Sequence, residues 1–432
     1  MRNVLKKLIY ILALLFFGSF TDLNAQGQPN CGFNRDFFDS SYIHWYQKAV
    51  EASTKTFLDN RGKVSRDTEF VVPVVFHFIH HPNFPPDKLF IVKAMAEINA
   101  DFSRLNADTI NLRSKFKSRA ANAKIRFVLV DKDENGQPSN GYTARSSLTT
   151  FGVEPYQSYR TWHNMKFDTC GGISPWNTNK YLNIWVCSLK SPKSGRTYWA
   201  GFATPPKNAP RWGMFYRDSS IDGIVLDQST YSNSSRSSTL THEIGHYLGL
   251  RHVSGDPPAF FDSATMCSYD DSLFDTPRVL NQNYYTCDTT LNSCIEPTND
   301  FPDMLENFMD YTGDRCRNTF TKQQVSLMRY CLNTLRPQLP KLIVTKMVTT
   351  TLFLLDVYPN PNKGSLNVDF EDPFSQGYSA FIYDCLGRKV VESPITQPKS
   401  ILNLDGLSTG WYQLTIVNNQ FEIVYRKSIY KD

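Results

Sequence analysis

This sequence has little with which to grip a polyanion. Its 46 Lys and Arg stand against 41 Asp and Glu, a net charge of +5 over 432 residues. No Lys/Arg block is dense enough to track a phosphate backbone, which excludes nucleic acid as a partner class. Past residue 25 no apolar run approaches the roughly 20 residues that cross a bilayer, so the mature chain is expected to be soluble. Internal repeats of useful length and strongly biased tracts are also missing. Histidine is scarce, at 8 residues, so a cluster of histidines carries weight.

What is present describes folded protein. An apolar fraction of 41% with 20% charge is ordinary globular composition. The length exceeds one comfortable core, so two or more folded units are expected. Aromatics make up 14%, with 22 Tyr and 30 Phe, which favours β-rich packing over long helical bundles.

At the N-terminus Arg2, Lys6 and Lys7 precede an apolar run from Leu8 to Phe20, then Leu23-Asn24-Ala25. A basic start, a short apolar stretch and a small residue before the cut read as a signal peptide over 1–25. Export lets disulfides persist, so Cys267, Cys287, Cys294 and Cys316, clustered in 50 residues, read as two bridges. Nine cysteines is an odd number, so at least one lacks an intramolecular partner.

Residues 26–66 are polar and mixed, with Cys31-Gly32, an aromatic patch at Trp45-Tyr46, and basic sites at Arg61 and Arg66. Phe70 to Ile79 (FVVPVVFHFI) reads as a buried strand. Helical spacing runs from Leu89 to Leu105, and further strands are expected at Ile125–Val130, Tyr181–Leu189 and Ile221–Leu226. This order indicates an α+β body over 67–340. From Leu352 onward, short apolar strands alternate with turn signals such as Pro359-Asn360-Pro361-Asn362, Lys363-Gly364 and Thr409-Gly410. They predict a small all-β sandwich over 350–432.

The chemistry is concentrated in THEIGHYLGLRH, Thr241 to His252. His242 and His246 are four apart, so a helix puts both imidazoles on one face and offers them to one ion. Glu243 adjoins the first and reaches a metal-bound water without being a ligand. Gly249 permits the left-handed turn that ends the helix and returns His252 as a third ligand. Three ligands leave one position open for water, the arrangement of a catalytic zinc. A structural zinc would want a fourth Cys or His, which the motif does not supply.

HExxHxxGxxH resembles the zinc signature of the metzincin metalloendopeptidases, and Met309 in NFMDY matches their Met-turn. Within that clan, HEIGHYLGLRH, FDTP (Phe274 to Pro277), NFMDY and FTKQQ (Phe320 to Gln324) follow the order of the pappalysin, or cytophagalysin, type. The resemblance extends upstream through DGIVLD and YLNIWV and covers roughly residues 70 to 335. It implies a twisted mixed sheet with an active-site helix and a looser C-terminal subdomain. It also implies pairing of Cys267 with Cys294 and Cys287 with Cys316, Met309 as the floor of the zinc site, and Tyr311 as oxyanion stabiliser. Asp271 and Thr276 match positions that supply oxygen ligands to Ca²⁺ in the family, chemistry that suits a hard cation. Cys31 fits a latency residue whose thiolate fills the open zinc position until 26–66 is removed by a cut at Arg61 or Arg66; the alternative is a disulfide, for instance with Cys331. Arg315 is a candidate for the specificity wall, where a basic group disfavours Arg or Lys. Some family members prefer basic residues at that subsite.

The last 80 residues resemble the type IX secretion C-terminal sorting domain, through VYPNPNKGSLNV, YDCLGRKV and GLSTGWYQLTI. That implies the outer-membrane export machinery as a partner and a secreted or cell-surface location. The expectation is a latent, secreted zinc endopeptidase acting on proteins or peptides. The rival is a non-catalytic surface binder on the same scaffold.

Overall fold

The computed structural model describes residues 30–31, 40–59, 68–83, 85–86, 88–152, 159–206, 219–231, 237–256, 263–280, 286–296, 298, 300–339, 344–345, 355–370, 377–384, 389–418 and 423–432. The expected signal segment 1–25, the basic sites Arg61 and Arg66, and Cys385 lie outside the described residues.

The apolar run near residue 70 becomes β2 (Thr68–His80), the spine of a mixed sheet. Val72, Val74, Val75 and Phe76 are all buried, so both faces of β2 are covered, which explains why its sequence is a continuous apolar run and not an alternation. One edge of β2 pairs in parallel with β3 (Ile125–Leu129) and then β4 (Tyr142–Ser146). The other pairs with β5 (Leu182–Cys187), which pairs with β7 (Ile224–Asp227). β6 (Trp199–Ala203) then runs antiparallel to β7. Beyond it, β1 (Asn30–Cys31) lies parallel to β6, with Cys31 in register with Gly201. β8 (Val344–Thr345) returns antiparallel to the first residues of β2.

One face of the sheet is covered by α2 (Lys88–Ser103), through Ile91, Ala94, Met95, Ile98 and Phe102. Phe102 meets Phe127 edge to face at 4.9 Å. The other face packs Trp185, Val225 and Phe202 against Trp162 and Met165.

Residues 40–59, read from sequence as part of a polar mixed segment, form a 20-residue helix, α1 (Ser40–Asp59). Its buried stripe is Tyr42, Tyr46, Ala49, Val50, Ser53 and Phe57. The spacing is helical, but two of these residues are small or polar and two are tyrosines, so the stripe does not stand out as apolar. A further helix, α4 (Lys322–Tyr330), opens on a capping box between Thr321 and Gln324, inside the FTKQQ segment.

The C-terminal strands form two antiparallel sheets. β9 (Leu355–Tyr358), β10 (Ser365–Phe370) and β13 (Lys399–Asn403) make one. β11 (Tyr378–Tyr383), β12 (Lys389–Ile395), β14 (Gly410–Asn418) and β15 (Ile423–Lys431) make the other. Val357, Leu366, Val368, Ile382, Leu402, Leu414 and Ile416 fill the space between them. The architecture is α+β followed by an all-β unit. Phe381 and Val417 of that unit also touch Val92 of α2.

Candidate metal centre

The histidine motif lies on α3 (Thr239–Tyr247), which is fastened along its length. At its start, the Ser238 N–H and hydroxyl both donate to Asp314, at 3.0 and 2.7 Å. In the middle, the Thr241 hydroxyl donates to Asp101 on α2 at 2.6 Å. At its end, Arg336 donates to the Tyr247 carbonyl at 2.9 Å, stacks 3.4 Å over the Tyr247 ring and pairs with buried Asp222 at 2.6 Å. Gly249 follows with φ of +92°, the left-handed conformation that turns the chain back.

That turn brings His252 to the other two histidines. The Nε2 atoms of His242 and His252 each lie 3.1 Å from Nε2 of His246. Each Nδ1 faces outward to an acceptor: His242 donates to the Phe308 carbonyl at 2.6 Å, His246 to the Leu250 carbonyl at 2.9 Å, and His252 to the Asp256 carboxylate. With Nδ1 protonated, all three Nε2 lone pairs converge, an arrangement favourable only around a cation. Two imidazoles on one zinc, with bonds of about 2.0–2.1 Å meeting near the tetrahedral angle, stand about 3.3 Å apart. Burial, followed by the neighbouring imidazoles, holds His242 and His246 well below the usual histidine range, so both are neutral at pH 7 and can offer a lone pair. The triad can hold a metal ion.

Glu243 is fully buried beside the triad. Strand β6, the upper rim of the site, lies against it: a Cβ on Gly201 would come within 3.2 Å of the Glu243 side chain and 2.8 Å of the Val225 carbonyl. Gly201 is therefore a glycine so that β6 can pass this close, and its backbone partner is Cys31. Tyr311 packs its ring 5.6 Å from His242 and 4.8 Å from His252.

Met309 is fully buried below the triad. A Cβ on Gly245 would meet the Met309 sulfur at 2.3 Å, so the motif's own glycine makes the seat. Nothing in the sequence reading singled out Gly245; a glycine in mid-helix, disfavoured by about 1 kcal/mol, was the available signal. The Met-turn is fixed by Asn307, whose amide exchanges hydrogen bonds of 2.9 and 3.0 Å with Gln324 of α4 and accepts from the Met309 N–H at 2.9 Å.

Asp256 was also missed. Burial acts to raise its carboxyl, but His252 and Arg251 outweigh that and keep it below the usual range, an anion that orients His252. The arginine whose charge reaches His242 is buried Arg317, bonded to Asp314, whereas the Arg315 side chain is exposed.

Asp271 and Thr276 are buried together. One Asp271 oxygen accepts from Thr276 at 2.6 Å and from the Leu273 N–H at 3.1 Å; the other, Oδ2, has no hydrogen-bond partner among the described residues. A buried carboxylate with an unused oxygen fits a hard cation. Disulfides join Cys267 to Cys294 and Cys287 to Cys316, bracing the loops on either side of the Met-turn. Cys331 is buried and in no disulfide.

Two histidines of a short helix and a third returned past its glycine turn, with a buried methionine turn on one side and strand β6 on the other, make up the kind of centre that a metzincin-type metalloendopeptidase carries. Comparison with known proteins narrows the class. Residues 173–333 match the family model described as pregnancy-associated plasma protein-A, and residues 356–431 match the secretion system C-terminal sorting domain. Mature mirolysin of Tannerella forsythia, solved in complex with a cleaved peptide, is 31% identical with a TM-score of 0.52, over 64% of this chain and 96% of its own. A promirolysin mutant of the same organism is 29% identical with a TM-score of 0.54, over 72% of this chain and 96% of its own. An extracellular metalloprotease of Arthroderma benhamiae is 31% identical over 114 residues, 25% of this chain and 36% of that protein. The chain thus spans about a third of the length of that fungal relative. It belongs to the pappalysin family of metalloendopeptidases and carries a type IX sorting domain that marks it for export.

Proposed function

We propose that this protein is a secreted zinc-dependent endopeptidase, made as a latent zymogen with a latency segment at 26–66, a catalytic unit at 67–340 and a sorting domain at 350–432. The observation that carries the reading is the convergence of three Nε2 atoms, each with its Nδ1 bonded elsewhere, beside buried Glu243. Zinc held by His242, His246 and His252 supplies a Lewis acid for the scissile carbonyl and acidifies water. Glu243 takes the proton as water attacks and delivers it to the leaving amine. Tyr311 donates a hydrogen bond to the carbonyl oxygen as it gains charge. An extended protein substrate adds to the edge of β6 at Gly201–Ala203 once β1 has left it.

Latency rests on β1, which already lies along that edge and sets Cys31 against Gly201. It is also supported by the longer stretch of this chain covered by promirolysin than by mature mirolysin. Ca²⁺ at Asp271 and Thr276 would stiffen the loop that follows the third histidine. Arg315 lines the outer specificity wall and selects against basic residues.

The test is hydrolysis of casein by protein trimmed to begin near Asp67, so that no upstream fragment is present, with and without a zinc chelator, beside Glu243→Ala. Cleavage abolished by both establishes the peptidase. A folded, zinc-loaded sample that cleaves neither casein nor a peptide library sinks it in favour of the binding protein.

A further inference from the structure

Latency explains Cys31 but not α1. The helix lies against α4 and the loop after the third histidine, and its contacts there are specific. The Tyr46 hydroxyl donates to the Asp271 carbonyl at 3.0 Å. Gln323 donates to the Thr54 hydroxyl at 3.1 Å, and Ser326 to the Ser53 carbonyl at 3.0 Å. Phe57 meets Phe274 at 6.2 Å between ring centres. Tyr42 and Tyr46, stacked at 6.2 Å and both 1% exposed, cover Arg251, whose guanidinium lies 5.4 Å from the Tyr46 ring. Arg251 in turn is 3.6 Å from Asp256, the carboxylate that holds His252.

We infer that α1 is a docking helix with its own binding face on the enzyme body, and that it keeps residues 26–59 bound after the chain is cut between 60 and 67. The face it occupies takes an amphipathic helix carrying two tyrosines one turn apart: apolar along the stripe, with hydrogen-bond partners at Asp271, Gln323 and Ser326. Neither this contact nor its strength depends on the Cys31 thiol. Cutting the chain would therefore start activation without completing it; the fragment must leave, or be digested, before the body is free. This rests on the reading of 26–66 as a removable segment, and the test imposes the cut so that the natural processing site does not matter.

A specific protease site replaces residues 61–66 in the full chain carrying Glu243→Ala, which keeps the fragment whole. After cutting, gel filtration reads whether residues 26–59 travel with the body. We expect co-elution, unchanged by Cys31→Ala, and release by Tyr46→Ala, with affinity weakened about 30-fold or more, as for a buried aromatic anchor. Tyr46→Phe, which keeps the ring and loses the bond to Asp271, weakens it about fivefold. If uncut Tyr46→Ala has lost native circular dichroism, Tyr46→Phe and Thr54→Val carry the test. Loss of the fragment from the cut Cys31→Ala chain overturns the inference, as does affinity indifferent to every α1 substitution. Failure of latency itself reads differently: with Glu243 intact, the uncut Cys31→Ala chain would then be no more active than its parent, whatever the fragment does.

Discussion

The body around the metal centre and the C-terminal sandwich bury opposite kinds of atom. In the sandwich, Asn362 and Thr415 are the buried polar side chains among the described residues; the rest of the interior is aliphatic or aromatic. Around α3, the interior holds Asp101, Asp222, Glu243, Asp256, Asp310, Arg251, Arg317 and Arg336, nearly all in ion pairs or hydrogen bonds. A sandwich core needs only apolar residues of fitting volume, and many sequences meet that requirement. A buried polar network needs each partner, because one removed leaves the other desolvated and unpaired. The sandwich is therefore held by burial, whereas the body is held by pairings that also aim its ligands.

This contrast can be broken experimentally. Leu414→Ala, at a fully buried sandwich position, should cost about 2–5 kcal/mol of sandwich stability. Hydrolysis by the exported enzyme should stay at the parent rate; a fall in kcat would mean that the two units are energetically coupled, with the Val92 contact the place to look.

Acid should separate the units next. His77 sits between Thr143 and Asn183 at 2.7 and 2.8 Å, and burial pushes it from 6.5 down to about 4. Its folded value lies below its unfolded one, so its stabilising contribution is complete above pH 6.5 and is lost as pH falls through about 4. The full shift is worth about 3 kcal/mol. All eight histidines precede residue 253, so calorimetry between pH 6.5 and 4 should lower the body's transition and leave the sandwich's in place. His77→Gln should flatten that slope. An unchanged slope would leave His77 no part in it.

Smaller effects sharpen the picture inside the body. Asp256→Asn removes the anion that orients His252 and should weaken zinc about 10- to 100-fold, read by competition with a chromophoric chelator. Gly245→Ala drives a methyl into the Met309 sulfur and should cost about 1–3 kcal/mol in thermal unfolding. Full stability in that variant would mean Met309 can retreat at no cost.

The legible parts of the chain follow the same division. The sandwich could be read because alternation and turn residues repeat along it, and β2 because both of its faces are apolar. His242, His246, His252 and Glu243 could be singled out as a candidate metal site because one ion demands those residue types at that spacing. The residues that aim them could not. Asp101 reaches Thr241 across 140 positions and Arg336 reaches Asp222 across 114, and no local pattern encodes such a partner. Asp256 lies only four positions past His252, but an isolated aspartate carries no signal until the turn at Gly249 is built. Helix α1 was missed because tyrosines, a serine and an alanine interrupt the apolar residues of its inner face, and such a face is visible only once the surface it meets is known.

The Arg336 clamp sets how short the enzyme can be made. It lies 27 residues past Met309 and six past the end of α4, in a stretch that looks dispensable from the motifs alone. Yet its guanidinium closes the last turn of α3 and bonds to the carbonyls of Thr204 and Pro205, just past the rim strand. A chain ending at residue 335 would keep every histidine, Glu243 and the Met-turn. It would lose the bolt joining the floor of the cleft to its roof.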